Sequence, residues 1–174
     1  MFTRTTRRLA PAIIFTACIV AAIQPASAQE AFILPAGLGC PDFNLGVSAV
    51  GGILHTKEFR DKNGNLVRTI TAGKGVDLTY TNYGPAPEAP VAGESITIKT
   101  AGSVSNTVTN PDGTLTVTAT GHNGLILFPS DVPAGPTTTQ YIGRIVYNID
   151  PDTGVFTLLS TSGQQRDICA ELAA

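Results

Sequence analysis

From about residue 43 onward, apolar residues recur at every second position in short runs, and the runs end at glycine, proline, asparagine or aspartate. A period of two bounded by such residues predicts half-buried strands. Val76, Leu78 and Tyr80 alternate with Asp77, Thr79 and Thr81, and Ile96 and Ile98 with Thr97 and Lys99. The longest pair of runs, Tyr141–Ser160, flanks Asp150-Pro151-Asp152-Thr153-Gly154. Pro151 presets the φ of a type I turn, Asp150 accepts a backbone N–H two residues on, and Gly154 takes positive φ. A four-residue loop then opposes Ile149 with Phe156, Tyr147 with Leu158 and Ile145 with Ser160. The other face opposes Asn148 with Thr157 and Arg144 with Thr161. The first face is apolar except for the serine, so Tyr141 and Tyr147 point to a core.

Two further hairpins follow from turn chemistry. Val104–Thr109 and Thr114–Thr120 flank Asn110-Pro111-Asp112-Gly113, which opposes Thr109 with Leu115 and Thr107 with Val117. Ile53–Arg60 and Asn65–Thr71 flank Asp61-Lys62-Asn63-Gly64. A three-residue loop opposing Phe59 with Val67 and Glu58 with Arg68 is preferred over one opposing Phe59 with Arg68, because it makes one apolar and one opposite-charge pair. Neither face of this hairpin is fully apolar, so its tip projects beyond the core. His55 then faces Thr71.

Gly121-His122-Asn123-Gly124 reads as a compact turn, and the continuous apolar run Leu125–Phe128 as a strand covered on both sides. Residues 29–42 read as an irregular lead-in, Tyr83–Gly93 as an exposed proline loop, Val132–Gln140 as a loop, and Gln165–Leu172 as one helical turn. No repeat of 20–50 residues and no long amphipathic helix is present. About eight short strands predict an all-β fold: an antiparallel β-barrel of up-and-down type, or a β-sandwich. The barrel is favoured because successive hairpins suggest up-and-down neighbours.

The beginning of the chain changes the picture. Arg4, Arg7 and Arg8, the apolar stretch Ala12–Ile23 and Ala26-Ser27-Ala28 form the pattern of a cleaved secretory signal over residues 1–28. The stretch falls short of the roughly 20 apolar residues a bilayer span requires. This leaves 29–174 as a single all-β domain, secreted and free of the membrane in its mature form. Lys plus Arg number 11 against 13 Asp plus Glu. Losing three arginines brings the mature chain to about −5, which argues against nucleic acid and anionic membrane surfaces as partners. Cys18 leaves with the signal, and Cys40 and Cys169 remain to form a disulfide near the two ends of the domain.

Candidate chemistry is sparse. His122 and Asn123 lie between glycines, where backbone can approach a ligand closely, and they are the candidate ligand-binding residues. His55 and His122 show no HxH or HExxH spacing, so no metal site is expected. GxSxG and SxxK are absent, no cofactor motif is found, and no catalytic residue is assigned. The aspartates, Asp42, Asp131, Asp150, Asp152 and Asp167, fall mostly beside prolines or at turns, as caps of backbone groups do. The lack of tryptophan disfavours a sugar-stacking surface. In overall character the chain resembles small exported bacterial proteins, although no motif carries that resemblance.

The leading expectation is a non-catalytic binding or interaction module, whose partner is a small apolar ligand held in the barrel or another extracellular protein. A small β-barrel enzyme of isomerase or cyclase type and a structural cell-surface module are the alternatives. An interior pocket containing His122 or a buried carboxylate favours the enzyme, a purely apolar pocket the carrier, and a solid core the surface module.

Overall fold

The computed structural model describes residues 32–85 and 91–174. The signal-like segment 1–28 and the middle of the proline loop lie outside the described residues. The strands are β1 (Phe32–Leu34), β2 (Leu45–Val50), β3 (Ile53–Arg60), β4 (Leu66–Lys74), β5 (Asp77–Asn82), β6 (Ser95–Lys99), β7 (Val104–Thr109), β8 (Leu115–Leu127), β9 (Thr137–Ile149) and β10 (Phe156–Asp167). One short helix, α1 (Ile168–Leu172), follows.

The protein is all-β, with two antiparallel sheets that do not close into a barrel. Their orders are β1-β2-β5-β6 and β10-β9-β8-β7-β4-β3. The expected up-and-down succession holds only from β7 to β10. After β4 the chain leaves the large sheet to lay β5 and β6 beside β2, and β7 then returns to pair with β4. That detour leaves β3 and β10 as separate edges of the large sheet, so no closure follows. The described residues form ten strands rather than about eight. Phe32–Leu34, expected to be irregular, pairs with Leu45–Val47 as a short edge strand.

Near the turns the expected registers hold. Thr109 opposes Leu115 and Thr107 opposes Val117. Ile149 opposes Phe156, Tyr147 opposes Leu158 and Asn148 opposes Thr157. Beyond Leu158 a bulge at Leu159 shifts the ladder by one residue, so Ile145 meets Thr161 and Arg144 meets Ser162. The exposed leucine is thereby set aside while the buried face is kept. In the β3–β4 hairpin the disfavoured pair, Phe59 with Arg68, is the one that forms, and a bulge follows it. The Arg68 guanidinium and the Lys57 ammonium lie 5.4 and 5.1 Å from the Phe59 ring centroid. Cation–π contact replaces the apolar pair that pattern alone prefers. Glu58 pairs instead with Arg60 at 2.7 Å, and His55 faces Ala72 rather than Thr71. The hairpin is exposed along most of its length, as its mixed faces predicted.

Gly121–Gly124 is not a turn. It runs through the middle of β8, where Gly121 opposes Gly143 of β9 and Gly143 opposes Gly163 of β10. All three glycines take positive φ, at 92°, 144° and 96°. A Cβ on Gly143 would collide with the Ser162 carbonyl oxygen, and one on Gly163 with that of Ile142. The sheet is creased along this seam, as its connectivity requires. Asn148 lies about 11 residues beyond Thr137, some 36 Å along a straight strand. Yet Val132, only about five residues past Leu127 and so within roughly 18 Å of it, bridges Thr157, the partner of Asn148. The two ends of the β8–β10 ribbon therefore curl toward each other. Asp131, 3% exposed, ties them, its carboxylate accepting from Phe128 N at 2.6 Å and Phe156 N at 2.8 Å. Backbone capping, the role expected of this aspartate, is what it does.

The core lies in two clusters, on opposite faces of the far end of β8. Ala119, Leu125, Leu127, Tyr141 and Ile145 form one cluster, against which Tyr147, Phe156 and Leu158 pack. The other holds Leu45, Tyr80 and Ile98 of the small sheet together with Ile168 and Leu172 of α1, and Ile126 and Phe128 pack against it. Leu125–Phe128 is thus covered on both sides, its odd residues in one cluster and its even ones against the other. Cys40 and Cys169 are joined with Cα atoms 5.5 Å apart, and Asp167 caps α1 by accepting from Ala170 N.

Tyr80 sits where the sheets meet, 2% exposed, and burial pushes its phenol up from 10 to about 12. A raised folded pKa stabilises the protein below the unfolded value and is lost as pH rises through the folded one. Urea midpoints should therefore fall between about pH 10 and 12, by an amount worth about 2–3 kcal/mol. Tyr147 and Tyr141, shifted upward by burial as well, add to the fall. Tyr80→Phe should remove much of this slope, and an unchanged slope would assign it elsewhere.

Candidate functional site

The bend in the large sheet and the separate small sheet leave a cleft of about 240 Å³ between them. One wall comes from the turn before β5, from β5 itself and from the residue after β6: Gly75, Val76, Leu78 and Thr100. The other comes from four strands of the large sheet, through Leu54, Thr71, Ser105, His122, Asn123 and Gly124, and from Ser103 just before β7. At Gly124 only a hydrogen fits, because a Cβ there would collide with the Tyr80 hydroxyl. This is a local reason for the glycine next to Asn123.

Both candidate ligand-binding residues, His122 and Asn123, line this cleft. They reach it from a strand rather than from a turn. Gly121 supplies the crease beside them, and a glycine pair around two polar residues reads as a turn when its cross-strand partners are unseen. The Asn123 side-chain nitrogen is buried and, among the described residues, has no hydrogen-bond partner. Such groups are rare in folded proteins and costly unless something else satisfies them.

His122 belongs to a polar chain that leads away from the cleft. Arg166 forms two hydrogen bonds with Glu171, at 3.0 and 2.6 Å, and donates through Nη1 to Gln140 Oε1 at 2.9 Å. These bonds hold the Glu171 carboxyl below its usual range and raise Arg166. With Oε1 of Gln140 occupied, its Nε2 is left to face Nδ1 of His122, at 3.4 Å. Nδ1 accepts in that contact, so the ring hydrogen sits on Nε2. Gln140 is 3% exposed and holds the imidazole from behind. Nothing in the sequence points to this chain, because its members come from β8, β9, β10 and α1.

Among the described residues, no acidic or basic residue other than His122 lines the cleft. Among the described residues, no three His, Cys, Asp or Glu side chains cluster as a metal site requires. His55 lies on the edge strand β3 and is not among the residues that line the cleft, although Leu54 beside it is. A second hollow, of about 330 Å³, lies beside the disulfide and includes Asp42 and Asp167. Asp167 there is committed to capping α1, so the hollow reads as part of the clasp. Compared with protein families, curated proteins and solved structures, the chain matches none.

Proposed function

We propose that this chain is an exported, non-catalytic binding module that takes a small molecule into the cleft at His122 and Asn123. The observation that carries the proposal is the concave, largely apolar cleft between the sheets, which His122 and Asn123 line. The disulfide suits an oxidising compartment outside the cell, and the described residues contain no helix long and apolar enough to cross a membrane.

The presence of His122 in the cleft lining counts toward the enzyme by the criterion given above, but no carboxylate stands beside it there, and a binding role is favoured on that ground. The side-chain partner of His122 is the Gln140 amide, which cannot take up or relay a proton as the third group of a catalytic set does. A surface module acting through a free sheet edge is disfavoured, since the outer strand β3 carries Lys57, Glu58 and Arg60, charges that blunt edge pairing. A fragment screen by two-dimensional NMR on the oxidised domain tests the proposal. Hits should converge on the amide signals of His122, Asn123, Gly124 and Ser105. Hits scattered over the surface, or gathered at Asp42 and Ala170, would overturn it.

A further inference from the structure

We propose that two copies of this chain associate through β10, which pairs antiparallel with itself about a two-fold axis at Gly163. Among the described residues the two sheets leave four outer strands, β1, β6, β3 and β10. The first three are poor templates for further pairing. β1 is three residues long, β6 is five and ends on Lys99, and β3 carries Lys57, Glu58 and Arg60. β10 runs for 12 residues, and from Phe156 to Gln165 it holds no charged side chain and no proline. Val132 covers only its start, bridging Thr157 and accepting from Leu158 N at 2.7 Å. Beyond Leu158 no described segment bonds to the backbone of its outer edge. Ser160, Ser162, Gly163, Gln164 and Gln165 are exposed there.

The backbone of this edge is set for a partner. The Ser162 carbonyl faces β9, since it fills the space that a Cβ on Gly143 would need. Bonding direction alternates along an antiparallel strand, so the N–H and C=O groups of Thr161, Gly163 and Gln165 turn outward. A two-fold at Gly163 pairs that residue with its own copy and Thr161 with the partner's Gln165, about six backbone bonds in all. A second copy suits the edge better than a foreign strand for two reasons. Self-pairing brings like side chains together, and an uncharged stretch suffers no repulsion. Moreover, Gly121, Gly143 and Gly163 stand in register across β8, β9 and β10, and all three take positive φ. A straight strand would part from β10 at this crease, whereas a copy bends at the same residue and continues the glycine row. One strand pair buries less than about 1,200 Å², so the dimer is weak.

Sedimentation velocity on the oxidised chain should show a monomer–dimer equilibrium between micromolar and millimolar concentration. Amide exchange should slow with concentration at Thr161, Gly163 and Gln165, and stay unchanged at Ser162 and Gln164, which already bond to β9. In this register Ser162 faces the partner's Gln164. Ser162→Lys with Gln164→Lys should therefore weaken the dimer about tenfold through two like-charge pairs. Ser162→Lys with Gln164→Glu should restore it, and because the first substitution is shared, a folding fault would show in both. A chain that stays monomeric throughout, or a dimer indifferent to the two lysines, would overturn the inference. Either result leaves the ligand role of the cleft untouched.

Discussion

Replacing Cys40 and Cys169 together by alanine should lower the unfolding free energy by up to about 4–5 kcal/mol, the largest effect expected of any change to this chain. The bridge spans a sequence separation of 129 residues, and closing so long a loop removes much of the entropy of the unfolded chain. The native side of the balance points the same way. Cys40 is fully buried, and Cys169 holds α1 so that Ile168 and Leu172 cover the small sheet. Few other bonds tie these ends down: Thr138 Oγ1 donates to Gly39 O at 2.8 Å, and Asn82 Nδ2 to Leu172 O at 3.0 Å. Urea unfolding of the oxidised, reduced and doubly substituted forms measures the effect, and hydrogen exchange at Ile168–Leu172 reports whether α1 loosens first. A loss below about 1 kcal/mol would mean that the unfolded chain is already compact near its ends.

Gly143→Ala should cost about 3 kcal/mol or more. Its φ of 144° is one that an alanine rarely adopts, and the added methyl meets the Ser162 carbonyl in the neighbouring strand. That oxygen is part of a ladder, so it cannot yield without opening β10 from β9. Gly154→Ala is the matched control: it too has positive φ, 73°, but a Cβ there meets nothing within 4 Å. Only conformational strain applies at that position, worth about 1 kcal/mol. The difference between the two urea midpoints isolates the close contact at the seam. Equal losses would show that the sheet does not depend on glycine there.

The seam also explains which parts of the fold were legible beforehand. In the hairpins at Asn110–Gly113 and Asp150–Gly154, turn and pattern act over a few residues, and both registers followed close to the turn. About five residues past that turn, at Leu159, the bulge depends on what covers each face of the ribbon, and pattern no longer constrains it. Gly121 and Gly124 gave a misleading local signal. Glycine marks a turn and a mid-strand crease alike, and only Gly143 and Gly163 across the ladder distinguish them. Phe59 and Arg68 misled for a different reason, since a pairing rule that counts apolar and charged matches gives no weight to a cation over a ring.

His122 and Asn123 were singled out in the sequence on a mistaken structural premise, and the structure places both in the lining of a cleft. The walls of that cleft come from segments far apart in the chain, and no motif joins Leu54, Ser105 and Val76. By itself the sequence determined an all-β chain, the partners of its disulfide and the pairing beside two of its turns, because period, turn chemistry and cysteine count are properties of short stretches. Only the tertiary structure decided that β5 and β6 join β2, that three long strands crease at a row of glycines, and that a cleft opens where the two sheets diverge. Those outcomes depend on which apolar faces find each other across long loops, and that competition is settled by the whole chain.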